Sequence, residues 1–195
     1  MKNKKVVFAC LSLIALSVST DVLAGTRPGA FSFRLADGYI FFAQKRNLEN
    51  TATPTLELGY EFNDNWGMKV GATVINTNTK GIDPESGVHG FIYTLDGVYK
   101  FGKFGPYGYF EPYALAGIGV TSVKTPGSYD PNNQANVNAG IGSHFFIDPS
   151  ISLNAEAKDV YTMSGGKNDV MLTAGITFYF GGETPHPAVY KGEKN

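Results

Sequence analysis

The chain has 195 residues, and its 16 basic and 17 acidic residues give a formal net charge of −1 at pH 7. This balance, together with the lack of any long run of basic residues, argues against a nucleic-acid partner. The 24 glycines, 14 phenylalanines and 11 tyrosines favour β-strands joined by tight turns over a helical bundle.

The first segment of the chain predicts a secretory signal peptide. Three lysines within the first five residues precede an apolar stretch over residues 6–18, and Val22-Leu23-Ala24 provides the small residues that a signal peptidase recognises. We therefore expect residues 1–24 to be removed by cleavage before Gly25. The alternatives are an uncleaved helical anchor, which needs about 20 apolar residues, and a lipoprotein, for which Cys10 lies too early.

Removal of this segment leaves a chain without thiol chemistry. Residues 25–195 contain no cysteine, so disulfides, cysteine nucleophiles and cysteine–zinc sites are excluded. The signal segment holds three lysines and one aspartate, so the remaining chain has 13 basic and 16 acidic residues and a net charge of −3. Its length of about 170 residues fits a single domain.

After the signal segment, apolar and polar residues alternate with the period of two that is typical of β-strands. The clearest alternating runs cover residues 55–62, 66–74, 91–101, 151–158 and 170–180. Three further segments are predicted as strands with less certain facing, at residues 31–43, 113–123 and 137–147. The sequence therefore predicts eight strands.

The predicted connections are short at one end of these strands and long at the other. Tight turns are expected at residues 62–66 and 147–150, with a somewhat longer turn at 102–110. The long polar connections are predicted at residues 44–54, 76–89, 122–136 and 162–169. This layout is typical of outer-membrane barrels, and eight strands in an up-and-down order can close without leaving an edge.

We therefore predict an all-β fold, an eight-stranded antiparallel up-and-down transmembrane β-barrel over residues 25–180. The remaining residues 181–195 form a short polar tail with Pro185 and Pro187, and we expect this tail to be disordered. Alternation alone also fits a soluble lipocalin-like binder, whose apolar face points inward. That binder is the alternative fold.

Three features favour the membrane-spanning barrel over the lipocalin-like binder. Charges of both signs lie on the polar faces of the predicted strands, where they can pair inside a narrow barrel: Glu57, Lys69, Asp96, Glu156 and Lys158. Aromatic residues collect near the short turns, as in the aromatic girdles of barrels. The last strand ends in a polar residue, a glycine and two alternating aromatics, Thr173, Gly175, Phe178 and Phe180, and this pattern resembles the signal by which the barrel assembly machinery recognises its substrates.

Four segments, in order, resemble the family of OmpA-like barrels. LGYEFNDNWG at residues 58–67 resembles the second-strand hairpin, EPYALAGIG at 111–119 the fifth strand, LNAEAKDVY at 153–161 the seventh and GITFYF at 175–180 the closing strand. The resemblance implies a polar interior in which the inward charges pair and block a wide pore. Eight strands independently leave an interior that side chains can fill.

The resemblance has one departure and one near alternative. Many OmpA-like proteins continue into a peptidoglycan-binding domain, and the tail here is too short to form one. Pro54-Thr55-Leu56 before Tyr60-Glu61-Phe62 also resembles OmpW-like barrels, which are thought to pass small hydrophobic molecules through a lateral opening.

The candidate catalytic residues do not complete a hydrolase site. Some small outer-membrane barrels deacylate lipid A with a His-x-Ser pair and a glutamate, but His144 is followed by two phenylalanines. Ser143 is expected on the opposite face of its strand, so Glu156 beside His144 would lack a nucleophile. The three histidines are not spaced as metal ligands. We predict no enzymatic activity, no metal and no cofactor.

Two classes of function remain for a protein expected in the outer membrane of a Gram-negative cell. The first is a structural and interactive role, in which a largely plugged barrel contacts outer-membrane lipid and its four long connections meet external ligands. The second is transport, through a narrow channel or a conduit for hydrophobic small molecules.

Overall fold

The computed structural model describes residues 26–80, 87–105, 108–124 and 132–182. The predicted signal peptide at residues 1–24 lies outside the described residues, and so does the predicted tail from residue 183 onward. Within the described residues, no helix is long and apolar enough to cross a membrane.

The described chain forms a closed antiparallel β-barrel. Its strands are β1 (Ala30–Phe41), β2 (Thr51–Ala52), β3 (Thr55–Glu61), β4 (Trp66–Asn78), β5 (Gly87–Lys100), β6 (Phe110–Lys124), β7 (Asn132–Asp148), β8 (Ile151–Thr162) and β9 (Lys167–Gly181). From β3 onward each strand pairs with the next, and β9 pairs with β1 to close the sheet. A single turn of 3-10 helix, Gln44–Arg46, lies in the first connection.

β2 and β3 are two pieces of one barrel strand, so the barrel has eight strands and the predicted fold is confirmed. Both pieces pair with β1 in one register, with Ala52 opposite Tyr39 and Thr55 opposite Ala36. The interruption falls at Pro54, which has no backbone N–H to donate to a sheet. The sheet nevertheless stays joined there, because Thr53 N donates to Gly38 O at 3.0 Å and Val74 N donates to Pro54 O at 2.9 Å.

The two ends of the barrel differ less in connection length than predicted, because three of the four long connections are shorter than expected and the connection at residues 101–109 is as long as any of them. At the short-turn end the connections are residues 62–65, 101–109 and 149–150, and residues 26–29 also lie there. At the opposite end, which we call the loop end, the expected connections at 76–89, 122–136 and 162–169 shrink to residues 79–86, 125–131 and 163–166. Some polar residues that suggested loops, such as Thr77 and Asn136, are strand residues with buried side chains, whereas others, such as Asn76 and Asn133, are strand residues with exposed side chains.

The side-chain facing is inverted relative to that of a soluble barrel. Large apolar residues such as Phe31, Leu58, Ile118 and Ile141 lie exposed on the outer surface, whereas most charged and hydroxyl side chains of the strands are buried inside. The lipocalin-like alternative is therefore wrong. Aromatic rings collect on the outer surface near the short-turn end, where the ring centroids of Trp66 and Tyr99 are 4.9 Å apart.

Candidate functional site: the barrel interior

The interior of the barrel is filled in three layers. A charged middle layer lies between an apolar layer at the loop end and a second polar layer at the short-turn end. Each layer is built from alternate residues of several strands, because successive side chains of a strand point to opposite faces. The three layers are the candidate site, since any solute that crosses the barrel must pass them.

The middle layer is a network of three cations and three carboxylates. Its members are Arg34 on β1, Glu57 on β3, Lys69 on β4, Asp96 on β5, and Glu156 and Lys158 on β8. The three positive charges equal the three negative charges in number, so the network is neutral. Buried ions require such pairing because few counter-charges are available from solvent.

Two carboxylates share the cations at the centre of this layer. Glu57 Oε2 lies 2.7 Å from Arg34 Nη1 and 3.1 Å from Lys69 Nζ. Lys69 Nζ also lies 2.5 Å from Glu156 Oε2. Arg34 and Glu57 are directly opposite each other on neighbouring strands, but Lys69 and Glu156 meet across the lumen from β4 to β8. The second contact therefore obstructs the lumen.

Lys158 binds the third carboxylate and links it to the rest of the network. Its Nζ lies 2.7 Å from Asp96 Oδ2 and 3.3 Å from Glu156 Oε1. Glu57 Oε1 is 3.7 Å away. Because β5 and β8 are not neighbours in the sheet, the Lys158–Asp96 pair is a second bridge across the lumen.

Neutral side chains add hydrogen bonds to these ions, although Asp96 Oδ1 has no hydrogen-bond partner among the described residues. Tyr113 OH donates to Glu156 Oε2 at 2.8 Å. The Arg34 guanidinium donates to Thr173 Oγ1 at 2.9 Å and to the Asn154 side-chain oxygen. Thr94 Oγ1 donates to Asp96 Oδ2 at 3.2 Å. Such partners offset part of the desolvation penalty of burying charge.

Two glycines in the wall make room for this layer. Gly117 is directly opposite Asp96, and Gly142 is directly opposite Tyr113. A Cβ atom at Gly117 would overlap the Asp96 carboxylate, and one at Gly142 would overlap the Tyr113 ring. The carboxylate and the phenol can occupy these positions because the facing residue has no side chain.

The short-turn layer is centred on Lys100, which is almost completely buried. Lys100 Nζ pairs with the Glu61 carboxylate and donates to Thr26 Oγ1 at 3.0 Å. Thr26 Oγ1 in turn lies 3.0 Å from both carboxylate oxygens of Glu111. Residues before β1 thus enter this end of the barrel and fill it.

The loop-end layer is apolar. The wall contributes six buried side chains, Ile40, Ile75, Val88, Ile92, Val160 and Met171, which pack with Phe42 and Leu48 of the first connection. Arg46 ties this connection down, because its Nη2 lies 2.6 Å from Asp169 Oδ2 at the start of β9. The first connection therefore closes over the loop end.

A cavity of about 30 Å³ lies between the middle and short-turn layers, with Arg34, Lys100, His144 and Tyr179 among its lining residues. A water molecule needs about 10–15 Å³ of such volume. The cavity is therefore large enough for one or two waters and too small for a solute.

His144 lies beside a serine that sequence reasoning did not consider. Its Nδ1 is 3.2 Å from Ser152 Oγ and 3.3 Å from Tyr179 OH. A serine hydrolase uses one imidazole nitrogen for the serine and the other for the acid, whereas here both hydroxyl groups contact the same nitrogen. Ser152 is also fully buried.

Within the described residues no three His, Cys, Asp or Glu side chains are grouped to hold a metal ion.

The structure brings all five predicted interior charges, Glu57, Lys69, Asp96, Glu156 and Lys158, into the middle layer. Sequence reasoning missed Arg34, because the facing of β1 was uncertain. It also missed the short-turn layer, whose charged residues lie at strand ends. A signal for both was present in the sequence, since Arg34 and Lys100 occupy the polar positions of their own alternating runs.

The four predicted assembly residues lie on the strand that closes the barrel. β9 pairs with β1 along all of β1, from Ala30 to Phe41. Thr173 faces inward, Gly175 contacts the backbone of β1 at Ala36, and Phe178 and Phe180 lie opposite Phe33 and Phe31. Their role in assembly stays a prediction.

Comparison with known protein families matches residues 7–181 to a family model described as outer membrane protein beta-barrel domain. A search of curated proteins gave no match.

Among solved structures, the N-terminal β-barrel domain of Pseudomonas aeruginosa OprF is similar, with a TM-score of 0.57 and 19% identity over 80% of this chain and 100% of that chain. Outer membrane protein OprG from Pseudomonas aeruginosa gives a TM-score of 0.60 and 14% identity over 82% and 99% of the two chains. Neisserial surface protein A gives a TM-score of 0.59 and 15% identity over 80% of this chain and 99% of that chain. These similarities show a shared fold.

Proposed function

The chain belongs to the outer membrane protein β-barrel family, and on that premise we propose that it is a closed barrel that supports the integrity of the outer membrane and presents its loop end to external ligands. In this proposal a signal peptide at residues 1–24 directs export. The barrel assembly machinery recognises β9 and inserts the chain, with the short-turn end toward the periplasm.

The filled interior is the observation that carries the proposal. Two ion pairs cross the lumen in the middle layer, Lys69 with Glu156 and Lys158 with Asp96. Eight apolar side chains pack together at the loop end. A hydrated solute would have to break buried ion pairs, each of which costs about 3–5 kcal/mol when one partner is removed. These barriers favour a structural role over diffusion.

Conductance in planar lipid bilayers tests the sealed interior. We expect the purified barrel to give no stepwise openings in 1 M KCl, under conditions in which a general porin does. The Arg46→Ala variant removes the ion pair between the first connection and Asp169 and tests whether that connection alone closes the barrel. We expect it to give no openings either, because the middle layer remains. Regular openings of the unmodified barrel would contradict the proposal.

A deletion strain tests the role in the envelope. We expect the strain to lose resistance to detergent and to regain it when the gene is restored. A second complementing gene, in which residues 81–86 and 125–131 are replaced by short Gly-Ser connections, separates the two parts of the proposal. This variant is expected to restore detergent resistance while losing the binding of those external ligands that contact residues 81–86 or 125–131. An unaltered envelope in the deletion strain would contradict the structural role.

A conduit for hydrophobic small molecules is the second candidate, favoured by the apolar loop-end layer and by the strand interruption at Pro54. The hydrogen bonds of Thr53 and Val74 across that interruption count against a standing lateral opening. Uptake of a hydrophobic fluorescent probe by cells with and without the protein distinguishes the candidates. Uptake that depends on the protein, and that is lost in a variant with a bulky residue in the loop-end layer, would favour transport.

A further inference from the structure

The carboxylate of Glu111 is buried without a cation in contact with it. Glu111 is 0% exposed and lies at the start of β6 in the short-turn layer. No lysine, arginine or histidine of the described residues comes within 4.0 Å of its oxygens, whereas Glu57, Glu61, Asp96 and Glu156 all have such a partner. A buried ionised carboxylate requires a partner charge or several hydrogen bonds.

Among the described residues, the hydrogen bonds of the Glu111 carboxylate come from one hydroxyl group. Thr26 Oγ1 lies 3.0 Å from Oε1 and 3.0 Å from Oε2, and a hydroxyl has a single hydrogen to donate. The nearby Lys100 Nζ has three hydrogens, and its three acceptors are Glu61, Thr26 Oγ1 at 3.0 Å and Asn63 O at 3.3 Å. Lys103 Nζ donates to Thr26 O at 3.0 Å. The lysines of this layer are therefore engaged elsewhere.

The residue that contacts Glu111 is the second residue of the predicted processed chain. Cleavage before Gly25 would create an α-amino group on the residue covalently joined to Thr26, and this group is mostly protonated at pH 7, with three donors and a positive charge. Consecutive Cα atoms are about 3.8 Å apart, so this group starts within one residue of the Glu111 carboxylate. Glycine has the conformational freedom to turn the group toward it.

We propose that Glu111 is the binding site for the α-ammonium group that processing creates at Gly25. The ion pair would hold the first residues of the processed chain inside the short-turn end. A chain that begins one residue earlier carries an uncharged peptide N–H at Gly25, and its ammonium group lies beyond reach of the same geometry. The proposal depends on where the signal peptide is cleaved and is independent of whether the barrel conducts.

Chemical labelling of the processed protein tests this proposal. Protein purified from the outer membrane is first weighed intact by mass spectrometry, and a mass that begins at Gly25 is expected. The folded protein is then treated at pH 7 with a small amine-acylating reagent, and labelling of the N-terminal peptide is followed over time. An ammonium group held by a buried carboxylate loses its proton rarely, so we expect labelling to be at least tenfold slower than in the Glu111→Gln variant.

Two further proteins make the outcome decisive. Asp64→Asn removes one carboxylate from the exposed turn at the same end of the barrel, and it should label as slowly as the unmodified protein. A chain with one alanine inserted before Gly25 retains Glu111 and should label as fast as Glu111→Gln, which keeps the test valid if Glu111→Gln does not fold. A different processed start, or equal labelling rates in the unmodified and alanine-extended proteins, would overturn the proposal.

Discussion

Replacing Glu156 with alanine tests whether the middle layer behaves as one network. Glu156 Oε2 accepts from Lys69 Nζ at 2.5 Å and from Tyr113 OH at 2.8 Å, and Oε1 lies 3.3 Å from Lys158 Nζ. The substitution leaves three cations facing two carboxylates. It also leaves the buried Tyr113 hydroxyl without its acceptor.

The expected loss in the free energy of unfolding depends on which carboxylates each cation keeps. Loss of one member of a buried ion pair costs about 3–5 kcal/mol, and an unsatisfied buried hydroxyl adds about 1–3 kcal/mol. Lys69 keeps Glu57 at 3.1 Å and Lys158 keeps Asp96 at 2.7 Å, which offsets part of the loss. We therefore expect Glu156→Ala to lower the free energy of unfolding by about 3–5 kcal/mol. Glu156→Gln retains an oxygen for Tyr113 and should cost less.

Urea unfolding in lipid vesicles measures this change. The only tryptophan of the chain, Trp66, lies on the outer surface, so its fluorescence reports the transfer of the barrel from lipid to water. Asp159→Asn is the matched control, because Asp159 is an exposed carboxylate on the same strand. The double variant Lys69→Met, Glu156→Gln restores neutrality and should cost less than the sum of its single changes by about 0.5–3 kcal/mol. Equal midpoints for Glu156→Ala and Asp159→Asn, or strict additivity in the double variant, would refute the network.

Three further changes have expected outcomes. Gly142→Ala should destabilise the barrel by about 1–3 kcal/mol, because its Cβ would overlap the Tyr113 ring. Gly97→Ala is the control, since its Cβ would meet nothing nearer than 3.7 Å. Identical urea midpoints for the two variants would contradict the steric argument. Phe180→Asp should lower the amount of protein at the cell surface more than it lowers stability in detergent, and unchanged surface labelling would refute a role in assembly. Asp169→Asn removes the ion-pair partner of the first connection and should raise hydrogen exchange there, while unaltered exchange would show that apolar packing alone holds the connection.

The strands and the central charges could be predicted because both follow from a period of two. Glu57, Lys69 and Asp96 stand at polar positions of regular runs, so each points into the barrel once the apolar face of its own run lies outside. The partners of each charge could not be predicted, because pairing across the lumen depends on side-chain reach. Lys69 is directly opposite Asp96 in the sheet, yet its closest carboxylate oxygen belongs to Glu156 on the far wall.

The loop end was harder to predict for a related reason. On β5 both faces carry apolar residues, so Val88 and Ile92 inside cannot be told from Phe91 and Tyr93 outside by polarity alone. On β7 the reverse holds, because the asparagines at its start look like loop residues and are strand residues. Pairing with the neighbouring strands decides both cases, since it sets the facing of β5 and extends β7 to Asn132 opposite Val123.

The pairing of β9 with β1 closes the sheet, so the first and last strands of the barrel are neighbours although they are far apart in sequence. The first and last residues of the described barrel come together at the short-turn end, where a Cβ on Gly29 would lie 3.7 Å from the Cα of Gly182. Joining them by a short linker and opening the chain at residues 125–131 would preserve every strand neighbour while making β6 the last strand to be synthesised. Such a circular permutant separates two properties that the natural order combines: the stability of the finished ring and the recognition of a terminal strand during insertion. Stability should survive the permutation, and efficient insertion should not.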